Sequence, residues 1–113
     1  MKKTVTFNLA GKDTELMYSI LRLAKFEKAI GSSLFYVMST GGILHAMDIN
    51  FTIAGIAYGL KEELTLEEAA DLVQKHCDEG GLLDDINDAI YRGIVAAGLF
   101  IKPVEKAPEK ESE

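Results

Sequence analysis

Tryptophan is absent from this 113-residue chain, cysteine occurs once and proline twice. A single cysteine, Cys77, cannot close an intramolecular disulfide and agrees with a reducing compartment. Both prolines, Pro103 and Pro108, lie past residue 101, so neither interrupts the helical patterns before them. Positive charge is also scarce. Twelve Lys and Arg stand against 18 Asp and Glu, giving a net charge of −6 and a pI of ≈ 4.9. Nucleic-acid binding, which draws on clustered Lys and Arg, is not expected. No apolar run reaches the roughly 20 residues of a membrane span, because His45, Asp48 and Asn50 interrupt the most apolar stretch. No apolar region follows Met1-Lys2-Lys3, so a signal peptide is not expected and a cytoplasmic location is.

Hydrophobic residues make up 48% of the chain and charged ones 27%, the balance of one globular domain. The pattern predicts an α+β fold, mostly α: an N-terminal β-hairpin, then about four helices around a central apolar helix. Residues 1–101 form the domain, and 102–113 are a charged tail expected to be disordered. The hairpin spans 4–18. Val5, Phe7 and Leu9 alternate with Thr4, Thr6 and Asn8, the period of a half-buried strand. Ala10-Gly11-Lys12-Asp13 supplies the turn, and Leu16 and Tyr18 point inward from the second strand.

Helices are expected over roughly 19–30, 33–39, 43–60, 66–78 and 82–97. Ser19 is a candidate N-cap for the first, whose stripe reads Ile20, Leu23, Ala24, Glu27 and Ile30 with Phe26 beside it. Glu27 is the discordant member. Gly31 stops this helix, and Ser32 or Ser33 caps the second. The central segment 43–60 places Met47, Phe51, Ala54 and Tyr58 on one face and Ile49, Ile53, Ile56 and Leu60 on another, so it is read as buried. Thr65-Leu66-Glu67-Glu68 is a capping box, followed by an apolar face of Leu66, Ala69, Ala70, Val73 and Cys77. The last helix carries Asp84 and Asp85 in its first turn. Leu83, Ile86, Ile90, Gly93, Ile94 and Ala97 form its stripe; Gly93 allows another helix to approach, and Gly98 is the stop.

Chemistry-bearing motifs are few. His76-Cys77 lacks the ligands that zinc requires, since the other histidine, His45, is remote in sequence. Asp78, Glu79, Asp84, Asp85 and Asp88 lack calcium-loop spacing and read as helix-end electrostatics. Gly41-Gly42 and Gly80-Gly81 come without a Walker lysine or a G-x-G-x-x-G frame. Glu62-Glu63 sits in a polar loop where no shifted acidity is expected. No catalytic, cofactor-binding or metal-ligating residue is assigned, and an enzyme is not expected. Leu99, Phe100 and Ile101, just past the last helix, either close the core or form an apolar patch for a partner.

Several stretches, taken in order, resemble one family. Val5-Thr6-Phe7-Asn8-Leu9-Ala10-Gly11-Lys12 with Glu15-Leu16 is similar to a V-x-F-x-L-x-G-K hairpin start. Leu23 to Leu34, with Glu27, Gly31 and Ser33, is similar to the L-x-x-x-E-x-x-x-G-x-S-L that follows. Ile56 to Leu60, then Leu64 to Ala69, resembles A-x-x-G-L…L-T-x-E-E, and the close is Gly80-Gly81 with Ala96 to Phe100. Over residues 4 to 101 this resembles the small tail assembly chaperones of long-tailed bacteriophages, prophages and gene transfer agents. Relatives often carry a tryptophan before the G-L pair, where this chain has Tyr58 in the neighbourhood. The resemblance implies a non-enzymatic protein of the host cytoplasm that binds and solubilises the tape measure protein during tail morphogenesis. It also implies absence from the mature virion. In many phages a frameshifted longer form recruits tail tube subunits. Leu99, Phe100 and Ile101 are the candidate partner-binding residues. The competing expectations are a structural tail or head-completion protein retained in the particle, and a bacterial adaptor domain unrelated to phage.

Overall fold

A computed structural model of the chain describes residues 3–39 and 48–99. Among them the fold is α+β and mostly helical, a two-stranded antiparallel hairpin followed by five helices. Strands β1 (Val5–Leu9) and β2 (Lys12–Leu16) pair from Val5↔Leu16 to Leu9↔Lys12. The turn is shorter than expected: only Ala10 and Gly11 lie outside the strands, and both have positive φ, 52° and 83°. That is the geometry of a primed two-residue turn, whose twist suits a hairpin. Lys12 and Asp13 therefore belong to β2. The alternation places Phe7, Leu9 and Leu16 inward as read, and Tyr18 just beyond β2 is buried with them.

Helix α1 (Ile20–Ile30) starts where Ser19 accepts the Arg22 amide and stops at Gly31, φ 68°. Its rotation differs from the expected stripe. Leu23 and Phe26 are buried, whereas Ile20 and Ala24 are exposed. The inward face turns toward Arg22 because that guanidinium has work at the end of another helix. It donates to the Tyr58 carbonyl at 3.3 Å, to the Leu60 carbonyl and to the Lys61 carbonyl at 2.9 Å, and lies 3.7 Å from Glu63. Carbonyls left over at a helix C-terminus carry partial negative charge, so a cation is favourable there. Glu27 is explained in the same way: its carboxylate accepts the Leu34 amide at 2.8 Å, a free donor in the first turn of α2 (Leu34–Ser39). Of the two candidate serines, Ser33 caps α2, accepting the Tyr36 amide.

The central helix, α3 (Ile49–Gly59), begins later than the sequence suggests. Asp48, expected inside a helix from 43, is its N-cap: extended backbone, with the carboxylate accepting the Asn50 amide at 2.8 Å. Residues 43–47 lie outside the described residues. Burial on α3 is one-sided at its start, with Phe51, Thr52 and Ala54 enclosed and Ile49 exposed, and nearly complete over Gly55, Ile56 and Ala57. Helix α4 (Leu66–Asp78) has both halves of the expected capping box. Glu68 donates its amide to Thr65 Oγ1 at 3.0 Å and receives the Thr65 amide at 2.9 Å. Its inward face is Ala69, Val73 and His76, not Leu66 and Cys77. Helix α5 (Leu83–Ala96) buries Ile86, Ile90, Gly93 and Ile94 as expected, and also Asn87 and Ala89. Buried Asn87 meets Thr52 of α3, whose hydroxyl donates to it at 2.5 Å.

Three glycines set how closely these elements meet. A Cβ on Gly55 would lie 2.4 Å from Ile90 Cδ1, so it is Gly55 that lets α5 approach α3. On Gly59 it would stand 2.7 Å from Tyr18 Oη and 2.8 Å from Leu16 Cδ2, and on Gly93 2.9 Å from Tyr18 Cε2. Gly93 thus admits the hairpin's aromatic ring rather than another helix. Tyr18 fills this slot, with its hydroxyl donating to the Gly55 carbonyl at 2.7 Å. Burial drives its phenol pKa far above the ordinary tyrosine value, against a smaller opposing pull from Arg22. Tyr18, Phe26 and Phe51 form a chain of rings with centroid separations of 5.9 and 5.2 Å.

Candidate functional site

Two of the concavities among the described residues differ sharply in chemistry. The first is polar and lies where the hairpin turn, the end of α4 and the start of α5 meet. The capping box sets the register of α4, which carries His76 to the inward face with Ala69 and Val73. Its Nδ1 accepts the Ala10 amide at 2.9 Å. Because Nδ1 accepts, the neutral ring carries its proton on Nε2, which faces Asp85 Oδ2 at 3.4 Å. Gly81 leaves room for the ring; a Cβ there would be 2.2 Å from Nε2. Asp85 also receives the Leu82 amide at 3.0 Å. That backbone bond, then the bond from His76, holds the Asp85 carboxyl below its usual value.

This cleft, about 290 Å³, is lined by Asn8, Gly11, Glu79 and Gly80 around the His76–Asp85 pair. A histidine–carboxylate pair is a familiar element of general-base chemistry, but there the second ring nitrogen faces the substrate. Here it is occupied by a backbone amide. The arrangement clamps the hairpin tip: Ala10 holds a positive φ that costs an L-residue about 1–2 kcal/mol, and His76 anchors it. No group of three or more His, Cys, Asp or Glu among the described residues could hold a metal ion. Cys77 is half-buried and unpaired, and His45 lies outside the described residues. Of the acids marked in the sequence, Asp85 joins the clamp, Asp88 pairs with Arg92 at 2.9 Å, and Glu63 pairs with Lys25 at 3.0 Å.

The second concavity is apolar and lies on α1. Ile20, Leu23, Ala24 and Glu27 line a hollow of about 270 Å³, with Leu99 as its far wall. Leu99 is the described member of the three partner-binding candidates and is 47% exposed. It therefore does not close the core. Phe100, Ile101 and the tail from 102 lie outside the described residues. Sequence reasoning missed the other wall, having turned Ile20 and Ala24 inward. The signal that could have found it was Glu27, a charged residue in the middle of a supposedly buried stripe. Among the described residues no helix is long and apolar enough to cross a membrane. No family model, curated protein or solved structure matches the chain.

Proposed function

We propose that this chain is a tail assembly chaperone. It binds the long, helical tape measure protein of a phage-type tail in the host cytoplasm, keeps it soluble during morphogenesis, and leaves before the particle is complete. A frameshifted longer form would add recruitment of tail tube subunits. The observation that carries this reading is the apolar face of α1. Ile20 and Leu21 are 71% and 64% exposed, and Leu99 stands across the hollow from Ile20. Contiguous apolar surface on a small domain marks a place where another molecule is bound. The acidic balance of the rest of the chain suits a protein that must keep an aggregation-prone partner in solution.

The motifs that suggest the family support the reading through the fold. The hairpin-start residues form β1 and its primed turn, the G-L pair ends α3, and the threonine–glutamate pair caps α4. The test is co-expression of the chain with the tape measure protein of the same tail. A soluble complex that co-purifies is expected; a tape measure protein that is equally insoluble with and without the chain overturns the proposal. Mass spectrometry of finished particles then sorts the remaining readings. Stoichiometric retention identifies a structural tail or head-completion protein, and no association with tail proteins at any stage identifies an adaptor.

A further inference from the structure

We infer that the hollow on α1 is a socket for a partner helix, receiving one aliphatic side chain between Ile20, Leu23, Ala24 and Glu27, with an acidic residue of the partner over Lys28. Three observations point to a helix as the occupant. The four α1 residues lining the hollow stand at i, i+3, i+4 and i+7, the diamond that accepts a knob from a facing helix. Its middle is Ala24, a side chain small enough to leave depth between its larger neighbours. And Leu99 supplies an apolar wall from outside α1, while Met17 and Leu21 add exposed apolar surface near the start of that helix. A helix laid in such a groove is read through anchors spaced three and four residues apart.

Charge selects the partner's flank. Helix α1 carries Arg22, Lys25 and Lys28 against Glu27 alone, on a chain whose net charge is −6. Arg22 and Lys25 are committed to Glu63, and Glu27 to the Leu34 amide. Lys28 is exposed, one turn beyond Ala24 on the same face, and has no ion-pair or hydrogen-bond partner among the described residues. Its ammonium is thus free to meet an incoming carboxylate. The acidity of the rest of the chain repels uniformly acidic partners at long range, but that repulsion is screened within about 8 Å at physiological salt. An amphipathic helix with an apolar stripe and an acidic flank meets both requirements.

This inference deepens the proposed function and rests on it only for the identity of the partner. The experiment therefore uses a probe independent of any tail protein: a three-heptad peptide with leucine at a and d and glutamate at e and g, whose like charges oppose self-association. Fluorescence anisotropy against the full chain at physiological salt should show saturable binding. Ala24→Arg fills the socket with a good helix former and should weaken binding at least tenfold, with an unchanged circular dichroism spectrum. Ile20→Gln removes one wall without adding bulk and should weaken it in parallel, which keeps the test intact if the first variant misfolds. Lys28→Glu should reverse the preference between this peptide and its lysine-flanked counterpart.

Absence of binding, or binding indifferent to both socket variants, overturns the inference. Concentration-dependent self-association that Ala24→Arg abolishes assigns the face to a second copy of the chain and overturns it too. So does binding seen only when the chain is cut after Leu99, which makes the following segment the occupant. If the peptide behaves as expected while the tape measure protein is equally insoluble with and without the chain, the socket stands and the chaperone reading falls.

Discussion

The slot between α3 and α5 and the hollow on α1 are both made by small residues, yet the chain itself fills only the first. Gly55, Gly59 and Gly93 leave spaces in which Ile90 and Tyr18 sit at contact distance, and both side chains are essentially removed from water. Ala24 leaves a space whose walls, Ile20 and Leu99, stay exposed. A small residue is therefore not a site in itself. It becomes part of the core when a side chain from another element of the same chain arrives, and an open surface when none does. Tyr18 arrives because the hairpin is held at both ends: Met17 donates its amide to the Gly59 carbonyl at 2.9 Å, and His76 clamps the turn at Ala10. Among the described residues nothing comparable crosses α1.

The largest effect is expected from forcing bulk into the filled slot. Gly59→Leu would set its Cβ against Tyr18 Oη and Leu16 Cδ2 at 2.7 and 2.8 Å, with three more carbons to place. Tyr18 cannot yield without leaving the Gly55 carbonyl. Overpacking a core usually costs 1–3 kcal/mol and sometimes more. The variant should lose about 3 kcal/mol or more, offset only slightly by the better helix propensity of leucine. Urea denaturation measures it, and a midpoint within experimental scatter of the parent would mean the slot is not closed.

A smaller effect should follow from emptying one polar contact in that slot. Tyr18→Phe keeps the ring but removes the hydroxyl that donates to Gly55, at a cost of about 1 kcal/mol near neutral pH. The variant also has a pH signature. Burial raises the Tyr18 ionisation in the folded chain, while the unfolded chain ionises near about 10. Below that value the phenol is neutral in both states and its contribution is fully present. As pH rises above it, the unfolded state binds fewer protons, so stability falls by up to about 1.4 kcal/mol per pH unit. The stability difference between parent and Tyr18→Phe should shrink through this alkaline window and then change sign. A difference constant from pH 8 to 11 would place the hydroxyl in water.

How much of this could be read from the sequence depends on where each residue's partner lies. Local signals were legible: the alternation of β1, Gly31 and Gly98 as helix stops, and Thr65 with Glu68, because both partners of each lie within a few residues. The rotations of α1 and α4 were not. Arg22, Glu27 and His76 are polar, so periodicity sets them toward solvent or leaves them discordant. Each instead turns toward a backbone group on another element, and for Arg22 and His76 that group lies 36 or more positions away. Asp48 was placed within the helix for a related reason: the apolar residues on both sides of it carry the pattern through, whereas its carboxylate starts the helix. Of the candidate site, Leu99 was legible as an apolar residue after a helix stop. Its opposite wall was not, because locating Ile20 required the rotation that Arg22 imposes.

The smallest effect is expected where the hollow is open, and there the comparison can fail most informatively. Ala24→Leu enlarges the side chain in the middle of the α1 socket. Unlike Gly59, Ala24 is exposed, so the added carbons meet no enclosed atom. Leucine is close to alanine in helix propensity, and substitutions on open surface typically change stability by no more than about 0.5 kcal/mol. Thermal and urea unfolding should therefore be nearly unchanged. Any small gain would come from contact with the Ile20 and Leu99 walls, since burying apolar area adds roughly 25 cal/mol per Å². Binding of a partner helix should nonetheless weaken, because the knob's space is taken. A loss of 2 kcal/mol or more in the isolated chain would break the comparison. It would mean that the hollow is already occupied within the folded protein, as the slot is by Tyr18, and that α1 offers no free face to a partner.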